Sequence, residues 1–250
     1  MTAKNFNVNK NFSLQVGNWG NAVDTQVIEV LDSVVSTFYS ELDINLISKI
    51  PVYISKREDH PLYSNLGAVS IIGINSTDSY WAQYSYQFSH ELCHHVIFTD
   101  WFETKSKFGW FEEAICEMAS LFVLQKMAAG WMNSPPYAGA ELFAVNFPAY
   151  LSAVIASHNL DSSASLKAWL NINLPALEQD RYMRTHNIFV SLKLLPLFNT
   201  IPDLWKTIQY LKLIKVHQEM TFEEFLLSWK EILPEDLKAK CQLIADLFNS

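Results

Sequence analysis

Cysteine is scarce in this chain. Three occur in 250 residues, an odd number that does not make a disulfide framework and suits a reducing cytoplasm. Cationic side chains are also in deficit. Eighteen Lys and Arg against 26 Asp and Glu give a net charge of −8, and no basic stripe offers contacts to phosphates, so nucleic acid is excluded as a partner. The opening residues, Met1-Thr2-Ala3-Lys4-Asn5-Phe6-Asn7, lack the charged stub and apolar run of a signal peptide. No uninterrupted apolar stretch reaches the roughly 20 residues that a spanning helix needs, which predicts a cytoplasmic protein with no membrane partner. Internal repeats, heptads and low-complexity tracts are missing too. What remains is 50% hydrophobic and 14% aromatic, a composition that excludes disorder and fits one large domain or two lobes around a cleft.

Within that composition one stretch carries chemistry. His90-Glu91-Leu92-Cys93-His94 reads H-E-x-x-H inside a long apolar segment of helical pattern. A helix turns once in 3.6 residues, so His90 and His94 project from one face with their imidazoles a turn apart. Two neutral imidazoles so placed can grip one Zn²⁺, and Glu91 lies beside them to take a proton from water.

Catalytic zinc takes three protein ligands and keeps a fourth position open, so a two-histidine site needs one more ligand. Candidates lie in Trp110-Phe111-Glu112-Glu113-Ala114-Ile115-Cys116-Glu117, with Glu113 nineteen positions after His94 and Glu117 one helical turn later. Glutamates can also form the solvated side of a surface helix. The run from Ala114 to Ala129, with Ile115, Met118, Leu121, Phe122, Val123 and Leu124, leaves little circumference for water. A carboxylate there needs a partner such as a metal or a metal-bound imidazole.

H-E-x-x-H, eighteen residues, then Glu resembles the gluzincin metallopeptidases, the group of thermolysin and aminopeptidase N. Trp110-Phe111-Glu112-Glu113-Ala114 is similar to the Trp-Leu-Asn-Glu-Gly around the third ligand of the aminopeptidases in that group. The resemblance makes Glu113 the third ligand, and places Glu117 where a carboxylate often holds a zinc-bound imidazole by its free N–H. Cys93 points about 100° away from His94 around the helix and reads as a small core residue. His95 is turned away from His90 and reads as a packed histidine. Peptide deformylases share H-E-x-x-H but take a Cys ligand upstream of it, and no cysteine precedes Cys93.

The organisation expected is α+β and zincin-like: a small mixed N-terminal sheet with the motif helix, then an all-helical lobe. The boundary falls near residue 127, giving lobes 1–127 and 128–250 with the zinc between them. Strands are expected over Asn11–Val16, Lys49–Ile54 and Gly67–Ile74, and helices over Asp24–Leu42 and Tyr80–Phe98, with a further site helix carrying Glu113 and Glu117. Gly130 to Pro136 reads as a loop. Helices follow at about Ala138–Ala156, Ser163–Leu170, Thr185–Leu197, Pro202–Leu213, Thr221–Ile232 and Pro234–Phe248, with a capping box at Thr221-x-x-Glu224. By resemblance the strand before the motif helix, Ala68 to Ile74, is a sheet edge that pairs with an extended peptide.

Gluzincins also carry a Tyr or His some sixty to seventy residues past the glutamate ligand, which donates to the developing oxyanion. Tyr182 lies sixty-nine positions after Glu113, in Arg181-Tyr182-Met183-Arg184-Thr185-His186. Tyr182-x-Arg184 resembles the Tyr-x-Lys-Gly of aminopeptidase-type members, with Arg for Lys and Thr185 for Gly, and His186 is the substitute one turn on. The implied activity is a zinc peptidase with Glu91 as general base and a peptide or protein as substrate. Aminopeptidases of this group bind the substrate amine through a Glu on the edge strand. Gly67 to Asn75 contains no acidic residue, which leaves endopeptidase open. The alternatives are a zinc-dependent hydrolase of a small non-peptide substrate and a zinc-binding interaction protein without catalysis.

Overall fold

The computed structural model describes residues 3–98, 106–158 and 164–250. The chain is mixed α+β, with five strands in one sheet and a majority of its residues in helices. Strands β1 (Ala3–Asn5), β2 (Phe12–Gln15), β3 (Val52–Lys56), β4 (Leu62–Asn65) and β5 (Ser70–Ile74) lie in the order β1-β2-β3-β5-β4. The three central strands run parallel; β1 and β4 are antiparallel to their neighbours. Phe12 and Leu14 of β2, and Val52 and Ile54 of β3, turn into the core while the residues between them do not, the two-residue alternation of a sheet with one covered face.

Helix α1 (Asp24–Tyr39) links β2 to the parallel β3, as a crossover must. Its stripe of Val27, Ile28, Val30, Leu31, Val34, Val35 and Phe38 is buried at helical spacing. Asp32 on the same helix is buried but satisfied, its carboxylate accepting from the backbone N–H of Val8 (2.7 Å) and of Asn9 (3.0 Å). That contact fixes the turn between β1 and β2.

The resemblance puts the strand before the motif helix at the sheet edge. The sheet corrects this, because β5 lies between β3 and β4, and β4 is the edge strand. Leu62–Asn65 folds back on β5 with Tyr63 opposite Ile72 and Ser64 opposite Ile71. The turn between them is made by Gly67 at φ 79°, whose N–H is accepted by Asn65 Oδ1 at 2.9 Å. Gly reaches that backbone region without a Cβ clash. A four-residue strand of Leu, Tyr, Ser and Asn has no apolar alternation to announce it.

Helix α2 (Trp81–Ile97) follows β5 and helix α3 spans Gly109–Asn133. Helix α3 runs through Gly130, which the sequence reads as loop. Trp131, 1% exposed and stacked edge-on against Phe147 at 4.8 Å, offsets the cost of the helical glycine. Further on come α4 (Asn146–Ser157), α5 (Leu166–Gln179), α6 (Arg184–Thr200), α7 (Leu204–Ile208), α8 (Phe222–Ile232) and α9 (Glu235–Asn249). Ser163, the expected start of α5, lies outside the described residues. Pro175 sits inside α5, and the helix continues to Gln179 with Leu177 buried. The capping box at α8 forms as expected: Thr221 Oγ1 accepts from the Glu224 N–H at 3.2 Å, and Glu224 Oε2 accepts from the Thr221 N–H at 2.8 Å.

Two compact units emerge, and they interleave along the sequence. The first comprises residues 1–40, 47–95 and 119–154, and holds the sheet, α1 and most of α2. The second comprises 41–46, 96–118 and 155–250. Its core is aromatic: Phe108 lies 4.8 Å from Phe225, Trp110 4.9 Å from Phe222, and Phe111 5.7 Å from Trp229. Among the described residues one stretch, Ala140–Ser157, is long and apolar enough by composition to cross a membrane, with 17% of it buried. It contains Glu141 and Asn146 and comprises a short 3₁₀ turn followed by α4.

Candidate metal centre

Helix α2 is set in place at both ends of its first turns. Gln87 reaches back to the segment after β5, its Oε1 accepting from the Asn75 N–H at 3.1 Å and from Ser76 Oγ at 2.9 Å, while its Nε2 donates to Asn75 Oδ1 at 2.6 Å. The turn before α2 is held by the Asp78 N–H donating to the Trp19 carbonyl at 2.8 Å, with Asp78 Oδ1 accepting from the Asn21 N–H at 2.7 Å. Trp81, Tyr84, Phe88, Leu92 and Cys93 are buried, so most of the helix circumference is committed to packing. His90 and His94 are the half-exposed positions near its end. Their rings lie edge to face with centroids 5.1 Å apart, the one-turn spacing that the motif predicts.

Helix α3 carries the third residue. From Phe108 to Leu124 every residue is buried except Glu113, whose side chain retains 12% exposure. The aromatic residues before it anchor the first turn in the core of the second unit, and Ser191 on α6 donates to the Ala114 carbonyl at 2.7 Å. The result is the cluster expected from sequence. The ligand-capable atoms of His90, His94 and Glu113 all lie within 4.8 Å of one another. Two imidazoles and one carboxylate at that separation fit one divalent ion with positions left over, so the donor set is suited to a metal.

The remaining residues take distinct places. Glu91 is 7% exposed on α2, next to His90 in sequence. His95 is buried at 1% exposure, its ring edge-on to Phe12 (6.3 Å) and Tyr63 (5.8 Å), a packing role. Cys93, Cys116 and Cys241 are all buried and none forms a disulfide. Glu117, one turn past Glu113, is buried, and desolvation pushes its carboxyl up to about 7 while the Arg184 charge pulls it the other way. Tyr182 lies in the turn before α6 and is 59% exposed. His186 lies in the first turn of α6 with Nε2 3.1 Å from Asn173 Oδ1 and its ring 5.3 Å from Trp169.

Two residues escape sequence reasoning. Tyr63 on the edge strand stacks nearly parallel to the His94 ring, 10° between planes and 6.5 Å between centroids. Arg181 places Nη2 3.7 Å from Glu112 Oε2 and Nε 3.7 Å from Glu113 Oε1. Neither partnership has a signature in spacing, because each joins elements far apart in the chain. Compared with protein-family models, with curated proteins and with solved structures, the chain matches none of them.

Proposed function

We propose that the protein is a zinc-dependent peptidase of gluzincin type, in which His90, His94 and Glu113 hold the metal and Glu91 is the general base. The observation that carries this reading is the convergence of those three ligand-capable side chains within 4.8 Å of one another, with Glu91 the residue after His90 in the H-E-x-x-H motif. Zinc bound by two imidazoles and a carboxylate supplies a Lewis acid and brings the pKa of water toward neutrality. Glu91, held on a helix packed on most sides, accepts the proton of the attacking water and passes it to the leaving amine. Glu117 fixes the orientation of a ligand imidazole. Tyr182 or His186 donates to the developing oxyanion; His186 has its Nε2 3.1 Å from Asn173 Oδ1.

An extended peptide is the substrate class that suits the sheet. The edge-strand role expected for β5 passes to β4, whose outer backbone is the side on which a further strand can pair. The test separates metal holding from catalysis. Glu91→Ala is expected to retain zinc and lose hydrolysis of a peptide library by about 10²–10⁴-fold. Glu113→Ala is expected to lose zinc, measured by metal analysis after gel filtration. Retention of both metal and activity in the two variants overturns the assignment, and turnover of small amides without peptide cleavage moves the substrate class.

A further inference from the structure

We infer that Arg181 is a positioning residue that holds the Glu113 carboxylate in its metal-ready orientation, using Glu112 as the second half of a clamp and Gly109 as its seat. The inference rests on the metal-ligand reading of His90, His94 and Glu113, and is independent of whether the protein cleaves peptides.

The helix geometry calls for such a clamp. Glu112 and Glu113 are neighbours in sequence, so their side chains diverge by about 100° around α3. A single guanidinium meets both only if it lies toward the N-terminal end of the helix, between their directions. Gly109 occupies that spot, three residues before Glu112 and four before Glu113, the two spacings that face each other on a helix surface. A Cβ at Gly109 would stand 2.5 Å from Arg181 Cζ and Nη2 and 2.6 Å from Nε. A side chain there requires the guanidinium to move aside, so in the native protein the planar group lies directly against the helix backbone.

Arg181 is fixed from its own side as well. Asn187 Nδ2 donates to the Arg181 carbonyl at 2.7 Å, and Asp180 Oδ1 accepts from the Tyr182 N–H at 2.9 Å. The side chains of Arg181, Glu112 and Glu113 are 14%, 7% and 12% exposed, so the ion pairs are shielded and leaving one partner alone there is costly. A cation near a metal site also repels the metal. Here Glu112 neutralises Arg181, and the Glu113 charge remains for the metal, so orientation outweighs repulsion. The nearest approaches, 3.7 Å each, come from different nitrogens, Nη2 toward Glu112 and Nε toward Glu113; an ammonium is a point charge without that spread.

Zinc titration by calorimetry and cobalt titration by visible absorption, both on chelator-stripped protein, test this without any assay of activity. Arg181→Ala is expected to weaken zinc binding by about 10-fold or more, the range for groups that orient ligands, and to alter the cobalt ligand-field bands. Arg181→Lys is expected to recover only part of the loss. Gly109→Ala, which displaces the guanidinium without touching its charge, is expected to weaken binding in the same direction and to add nothing in an Arg181→Ala background. If Arg181→Ala fails to fold by circular dichroism, Gly109→Ala and Arg181→Lys carry the test. Native affinity, or tighter binding, in folded Arg181→Ala overturns the inference when His94→Ala loses zinc. Zinc binding undiminished by His94→Ala overturns the metal-site reading and this inference with it.

Discussion

Glu117 shows how a single buried side chain can carry a measurable signature. Its carboxyl is raised to about 7 from an ordinary 4.5 because burial penalises the charged form. In metal-free protein the folded state therefore holds a proton that the unfolded chain has released across the window from about 4.5 to about 7. Stability falls as pH rises through that window and levels off above it. Glu117→Gln removes the ionisation, so chemical denaturation at a series of pH values is expected to show a flatter profile for the variant, with its advantage over wild type largest above pH 7. At this level the sequence was most informative about groups whose chemistry demands a fixed spacing. His90 and His94 could be identified because one helical turn sets their spacing, while Glu113 was singled out among its neighbouring glutamates only by the family resemblance. Arg181 could not, since a guanidinium reaching across 68 positions of chain imposes no periodicity on the residues between.

Among the elements, α3 is decisive because its first turn is held by aromatic packing and its middle is buried on every side. Phe111 contacts the rings of Phe222, Phe225, Trp229 and Phe248 and is followed directly by the two glutamates. Phe111→Ala is expected to cost about 3–5 kcal/mol of unfolding free energy in a denaturant titration, with weakened metal binding because the turn bearing Glu113 loses its anchor. Helices with a clear apolar stripe, such as α1, and with explicit caps, such as α8, followed the sequence closely. The misses have local causes. Gly130 reads as the start of a loop and the expected helix over Ser163–Leu170 stops short of Pro175, yet Trp131 and Leu177 find buried places in helices that continue through those residues. Strand β4 is too short and too polar to register, and its presence moves β5 off the sheet edge.

For the molecule as a whole, the interleaving of the two units has a consequence for any attempt to divide it. A fragment ending at residue 127 keeps every strand but loses residues 128–154 of the first unit. With them go Trp131 and Phe147, both buried, and the rings of Tyr137 and Phe143 that lie 6.4 and 6.3 Å from Trp81 on α2. That fragment is expected to show a collapsed, dye-binding state without sharp side-chain resonances, measured by near-ultraviolet circular dichroism and proton spectra. Fold class and most helices were visible in the sequence because they follow from local periodicity. The grouping of distant stretches into units was not, because it depends on which buried faces meet.

The three sequestered thiols give the protein a built-in clock. One lies on the helix bearing both histidines, one on the helix bearing Glu113, and one on α9 at the end of the chain. An alkylating reagent can reach each sulfur only when its own helix opens, so mass spectrometry of the labelled peptides reports three separate opening rates without an added probe. Occupancy of the histidine–glutamate cluster by a divalent ion should slow labelling of the first two while leaving the third unchanged.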